Sequence, residues 1–542
     1  MKGGRVAVLV ILGGAMAGGL VVQGGDQPAP DATTGVTPVV AGIAMPASAP
    51  PGSLSSTWYC AGGSATEGGV ANHVVLMANP TDEDRSATVT AVAGDFAPPA
   101  VIPGNVTPGS APTTTTTTTT TTVPVTTTVP APIVPAVVKL PPYSRVELPL
   151  SNLVKAPLAG AVVEVDGGQV VVEHEVTSAT GDRAIAACST TAATSWSFPW
   201  GVTARGAREL LVFMNPFPGD ASIDVAFATN EGARDTLRFR NFIVPGRSVV
   251  GAYVDDPGGA QRKDQVSAQV TVRSGSLVVD RIQFFGGDDD DDLEGITLGL
   301  GAPVPADTWM FPDGNIADGI REQIVVFNPS EDVAEVEVEF RLDDPQGNAP
   351  PEPYELTVLP GRFAIVSLPD PLAGPDDPPR VPLGAAHSAV VRSLNGVLIA
   401  AERVIVSSGG SPRGVGATLG SPLAAPTWYF AGGGIVAGER EEFITVFNAS
   451  SEEIVTFSVT PFAGGRLFAP PGLQGLEIPP GGRVAVRLSE HTDLERLAVV
   501  VQADGPVVAE RGLYRTNGRG LSQSMGVPLA VDVVVPEPFT GE

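Results

Sequence analysis

With 542 residues, 43% hydrophobic and only 17% charged, the chain is too long for one hydrophobic core and apolar enough to fold over most of its length. Its 64 glycines and 52 prolines favour short strands and frequent turns over long helices. A net charge of −27 opposes nucleic-acid binding, because phosphate contacts need clustered Lys and Arg, and it predicts a soluble acidic surface.

The chain opens with Lys2 and Arg5 ahead of an apolar stretch, Val6 to Val22, with no acid before Asp26. That is the layout of an export signal, and Ala15-Met16-Ala17 offers a small-residue cleavage site. The same stretch approaches the length needed to span a bilayer, about 17–20 residues. Residues 1–25 are therefore expected to be a signal peptide or membrane anchor. Everything after them is expected outside the cell or on its surface, with membrane contact only through residues 6–22. Residues 26–55 hold few charges amid Pro, Ala, Thr, Gly and Ser, which predicts a disordered linker.

From residue 56 a pattern recurs four times. Each copy opens on an aromatic motif: Trp58-Tyr59-Cys60, Trp196-Ser197-Phe198, Trp309-Met310-Phe311 and Trp428-Tyr429-Phe430. An apolar run follows and ends in Asn79, Asn215, Asn328 or Asn448, with Trp-to-Asn spacings of 21, 19, 19 and 20. Next comes an alternating strand, such as Ala334 to Phe340, then a proline turn leading into Arg145, Arg247, Arg362 or Arg483. A hairpin closes each copy, its second strand carrying an acid followed by a base: Glu173-His174, Asp280-Arg281, Glu402-Arg403 and Glu510-Arg511. The expected fold is all-β: four tandem immunoglobulin-like β-sandwich repeats forming separate two-layered bodies, with a propeller-like or barrel arrangement as the rival. The repeats span 56–192, with a Thr/Pro-rich insertion at 96–138, then 193–305, 306–424 and 425–530, and residues 531–542 form a tail.

Residues recurring in every copy are read as structural, since sites are grafted onto folds. The Asn is expected to bond turn backbone, and the recurring Arg and acid to pair. The two cysteines, Cys60 and Cys188, fall at the start and end of the first copy, where others have Phe and Gly, and in an exported chain they predict a disulfide. The insertion, with threonines from Thr113 to Thr122, reads as a flexible loop open to O-glycosylation. The run Asp288 to Asp292 reads as a solvated acidic loop, with calcium binding the alternative.

His73, His174, His387 and His491 show no metal-ligand spacing, and no nucleophile elbow, P-loop or dinucleotide fingerprint occurs. The chain is expected not to be an enzyme and to have no cofactor. The fourfold pattern resembles an actinobacterial family of exported tandem β-domain proteins of unknown function, a resemblance that implies a β-domain array behind an N-terminal signal and transfers no site residues. The leading expectation is a structural spacer or surface protein projecting from the envelope. The alternative is an adhesion module for an envelope glycan or surface protein, and a remote third is an extracellular hydrolase.

Overall fold

The computed structural model describes residues 38–98, 135–204, 206–286, 293–343, 351–370, 379–409, 413–516 and 520–536. The signal or anchor at 1–25, the Thr run and the Asp run 288–292 lie outside them. Among the described residues no helix is long and apolar enough to cross a membrane.

Alternation builds the strands. In Ala334–Leu342 the residues Ala334, Val336, Val338 and Phe340 are buried while Glu335 is exposed. This strand lies between Ala386–Ser393 and Tyr354–Val358, and Thr308–Asn315 completes the sheet beyond Ala386–Ser393. Facing it is a sheet in the order Arg362–Leu368, Ile320–Asn328, Ala400–Ser407, Gly414–Leu419. Trp309, Ile324, Val326, Val336, Val338 and Phe340 fill the space between them. The other three copies repeat this two-layered plan. In the fourth, one long strand, Ala498–Arg515, serves both layers. The all-β sandwich expectation holds.

Trp58, Trp196, Trp309 and Trp428 are fully buried. The indole N–H of Trp196 donates to Leu277 O, that of Trp309 to Ile399 O and that of Trp428 to Val507 O, so these three rings also tie down their hairpins. The Asn residues bond turn backbone as expected. Asn328 Nδ2 donates to Asp332 O (2.7 Å) and Val358 O (2.9 Å), while its Oδ1 accepts from Ser330 N (2.9 Å). Asn79, Asn215 and Asn448 repeat that arrangement.

The expectation of separate bodies is corrected: all described residues belong to one compact unit. The apolar run Ile324-Val325-Val326-Phe327 shows why. Ile324 and Val326 face their own sandwich, whereas Val325 packs with Trp200, Val404 and Val406 in a cluster shared with the second copy. A strand that is apolar on both sides needs a cover on both, and the second cover here is the neighbouring copy. The first and second copies even share a sheet through parallel pairing of Val249–Gly251 with Gly94–Phe96. A Cβ at Gly94 would lie 2.0 Å from Val249 O, so the pairing requires glycine. The strands Arg183–Ala187, Glu294–Leu300, Gly414–Leu419 and Leu521–Met525, one per copy, touch in that order, and the last returns to the first. The four copies close into a ring.

The described part of the expected linker is ordered. Pro38–Ala44 is a helix, and Ala41, Met45 and Ala47 are buried against the third and fourth copies with Met310, Leu423 and Met525. Ser48 pairs through its backbone with Pro528 and Ala530, and its hydroxyl donates to Val170 O. Low charge reads as disorder when composition alone is weighed. These small apolar side chains instead cover surface that the assembled copies offer. Of the insertion, residues 136–138 belong to the edge strand Ala136–Leu140.

Cys60 and Cys188 form a disulfide. In the other copies the ring at the Cys60 position lies over a glycine: a Cβ would sit 2.6 Å from Phe198 Cζ at Gly301 and 2.8 Å from Phe311 Cζ at Gly420. The disulfide fills the place of that Phe-over-Gly contact. Closing a separation of 128 residues is worth about 4–5 kcal/mol in the chain-entropy picture. Denaturant unfolding of Cys60→Ala/Cys188→Ala should show a loss of that order, and Cys60→Phe/Cys188→Gly, which rebuilds the contact of the sister copies, should lose clearly less.

Candidate functional site

Many of the fully buried titratable groups lie where the copies meet. In each copy the acid–base dipeptide lies on the central hairpin strand in one register: Leu76 opposes Glu173, Val212 opposes Asp280, Val325 opposes Glu402 and Thr445 opposes Glu510. Successive strand residues point to opposite faces. The acid therefore faces the preceding copy and the base reaches the following one. The turn arginines expected to pair with these acids meet other partners, as Arg145 meets Glu147 and Arg483 meets Asp313, and each acid instead meets the base of a neighbouring copy.

Arg281 of the second copy pairs with Glu402 of the third, and Arg403 of the third pairs with Glu510 of the fourth. Arg511 of the fourth meets Glu173 of the first at 3.1 Å, and His174 of the first approaches Asp280 of the second at 3.6 Å, which completes the circle. All eight side chains are at most 3% exposed. Each acid also accepts from the backbone that follows the neighbour's aromatic motif: Asp280 from Ala61 N and Gly62 N, Glu402 from Trp200 N, Glu510 from Asp313 N and Glu173 from Gly432 N. Arg281 and Arg511 donate in turn to the carbonyls of Trp200 and Gly432.

A third buried titratable position was missed in the sequence. Six residues before each recurring Asn stand His73, Glu209, Glu322 and Glu442, all buried. A polar residue at one fixed offset inside four otherwise apolar strands was the available signal. Burial pushes Glu209 up to about 8 against the opposing pull of Arg281, and it likewise raises Glu442. Burial also works against ionisation of Glu510, while Arg403 beside it favours the charged form. For Arg281 and Arg403 burial alone would lower the pKa, but the charges of Glu402 and Glu510 override it and hold both guanidinium groups above their usual range.

The contact between first and second copies is the odd one. His73 Nδ1 lies 2.7 Å from Ala159 O and must donate to it, so the neutral ring offers Nε2 as acceptor to His174 Nδ1 at 3.0 Å. His174 Nε2 is then left facing Asp280. Burial drives His73 down to about 4, and burial followed by the neighbouring His73 drives His174 well below its ordinary value. Burial lifts Asp280 to about 8 against the amides of Gly62 and Ala61. Where its sisters hold an ion pair, this contact holds neutral groups at neutral pH.

Sequence reasoning treated the histidines as scattered, yet His73 and His174 adjoin. Trp200, the one tryptophan outside the repeat positions, is 2% exposed and packs against Phe285 beneath Arg281, so it is no surface aromatic. Among the described residues no group of three or more His, Cys, Asp or Glu could hold a metal ion.

A model described as a family of unknown function (DUF5719) matches residues 151–374, which agrees with the resemblance to an uncharacterised family. No curated protein matches the chain. Among solved structures, Thermotoga maritima 1070 is 21% identical over 21% of this chain and 93% of its own, with a TM-score of 0.18. The Anabaena sensory rhodopsin transducer is 23% identical over 18% of this chain and 88% of its own, at 0.15. The major pilin of Streptococcus pyogenes is 7% identical over 62% and 100%, at 0.11. Scores this low carry no argument about fold or function.

Removing one partner of a buried ion pair strands the other charge, at a cost of about 3–5 kcal/mol. Glu402→Leu should lose stability of that order in chemical denaturation, while Arg281→Met/Glu402→Leu should recover most of it. The protonated carboxyls Glu209 and Asp280 ionise near 4–4.5 once unfolded and near 8 when folded, so stability falls as pH rises through that window. The buried histidines act oppositely, losing stability as pH falls below 6.5. Only the carboxyl effect operates between 6.5 and 8. The melting temperature should drop across that interval, and Asp280→Asn should make the drop shallower.

Proposed function

We propose that this chain is a non-catalytic protein of the cell exterior, a rigid body of four β-sandwiches carried at the envelope or released from it by processing of residues 1–25. The observation that carries the reading is the use made of the recurring titratable groups. Glu173, Asp280, Glu402 and Glu510 are sealed between copies and already occupied by backbone amides, three of them by arginines as well. A carboxylate withdrawn in this way cannot meet a substrate, which supports an architectural role for the most regular polar feature of the sequence. The Cys60–Cys188 disulfide, with no cysteine left over, supports an oxidising compartment.

Ring closure favours a compact body over an extended spacer, since a string of copies would expose four sets of charged and apolar contact surfaces. A binding role for an envelope glycan or surface protein is the second reading, favoured by an open polar cleft between the first and fourth copies. Fractionation of cells with surface proteolysis and N-terminal sequencing should find the chain accessible from outside, as a processed or anchored product. A pool confined to the cytosol with Cys60 and Cys188 reduced would refute the proposal.

A further inference from the structure

Three of the ring's four contacts are backed by the chain itself. The polypeptide crosses directly from one copy to the next through residues 189–193, 302–306 and 421–425. The first residue of each crossing pairs within its own copy, beside the tryptophan: Ser189 with Tyr59, Ala302 with Ser197 and Ser421 with Met310. Val527, paired with Tyr429, holds that place in the fourth copy. No crossing leads from there to the first copy, so this contact alone closes without a covalent connection.

The strap that precedes the first copy meets the tail of the fourth at this gap. Ser48 N donates to Pro528 O (2.8 Å) and Ala530 N donates to Ser48 O (2.9 Å), so strap and tail run parallel. The same residue holds the first copy, because its hydroxyl donates to Val170 O (3.1 Å). Gln169 N donates to Ala49 O (2.8 Å), and Pro50 passes so near that a Cβ at Gly168 would lie 2.1 Å from its carbonyl oxygen. Farther back, Thr190 Oγ1 donates to Gly42 O and Ser421 Oγ to Met45 Sδ. Leu529 of the tail is buried in the cluster of Trp58, in the first copy.

The bridged contact is also loosely filled. Trp200, Phe285, Val325 and Val404 pack between the second and third copies, whereas the first and fourth, beside the apolar residues they share, leave a cleft of about 660 Å³. A short connection keeps two surfaces at high effective concentration after their contact breaks. The first and fourth copies have no such connection.

We propose that residues 38–50 are a strap that clasps the ring shut at the first–fourth contact, and that the ring opens there when the strap is released. Pro51, Gly52, Leu54 and Ser55, between strap and first strand, are exposed, so the strap can lift while the sandwich stays folded. Removal of residues 1–25 leaves the clasp whole. The inference rests on closure of the ring and not on where the chain resides or what it binds.

The test is hydrogen–deuterium exchange of the full chain, read by mass spectrometry at amides buried in the contacts. Ser48→Pro removes the N–H that bonds Pro528. Gly168→Ala pushes Pro50 off the first copy without altering the strap. In both variants the amides of Ile185 and Gly432, at the first–fourth contact, should exchange about three- to tenfold faster, as expected for loss of one hydrogen bond that limits local opening. Those of Trp200 and Asp313, at the second–third and third–fourth contacts, should keep wild-type rates. Equal acceleration at every contact would mean that the segment adds only global stability, and unchanged rates at Ile185 and Gly432 would mean that it fastens nothing. Either result, or a response to Ser48→Pro alone, overturns the proposal.

Discussion

A charge buried in protein is tolerable only when an opposite charge and enough hydrogen bonds are supplied with it. Each copy carries an acid and a base that alternate across one strand, and neither finds its partner at home. Glu402 is completed by the second copy and Arg403 by the fourth. A copy taken alone would present both, bare, at its flanks, together with an apolar sheet face such as that of Val325. The arrangement that satisfies every copy at once is a closed circuit, and the strand alternation that makes a two-layered sandwich also fixes the directions in which each copy must look.

The sandwiches were legible because period two, the Asn-ended apolar runs and the proline turns are local signals. The fixed roles of Trp309 and Asn328 followed from their recurrence, and the Cys60–Cys188 pairing from two cysteines at the start and end of one copy in a chain expected to be exported. The ring was not legible, although its clues were present. The run Leu211 to Met214 is apolar at every position, which a half-buried strand does not need. The dipeptide Asp280-Arg281 sits in the middle of a buried strand, where an exposed charge would find no water. Both say that a strand has a second buried face, but neither says what covers it. That depends on contacts between residues more than a hundred positions apart, which propensity and periodicity do not reach. Residues 38–48 escaped for the same reason: their burial is supplied by surfaces that exist only once the copies have assembled.

The differences among the copies fall where they do least harm to the shared plan. The disulfide replaces one Phe-over-Gly contact and leaves the strands in place. The His73–His174–Asp280 contact keeps the geometry of its sisters while exchanging formal charges for neutral partners. Gly432 stands where the third copy has Asp313, and its backbone N–H still donates to Glu173 beside the pair that Glu173 makes with Arg511.

Carrying all four copies on one polypeptide has a bearing on what such a body can become. An assembly of four identical subunits repeats every substitution at each of its contacts, so a histidine for an arginine or a glycine for an aspartate would be imposed everywhere at once. Covalent fusion lifts that obligation. One contact can soften, another can hollow out and a third can keep its ion pair, while rotational pseudosymmetry is preserved in the backbone. The disulfide and the histidine contact therefore read as specialisations that only a tandem, single-chain version of the ring could accumulate independently.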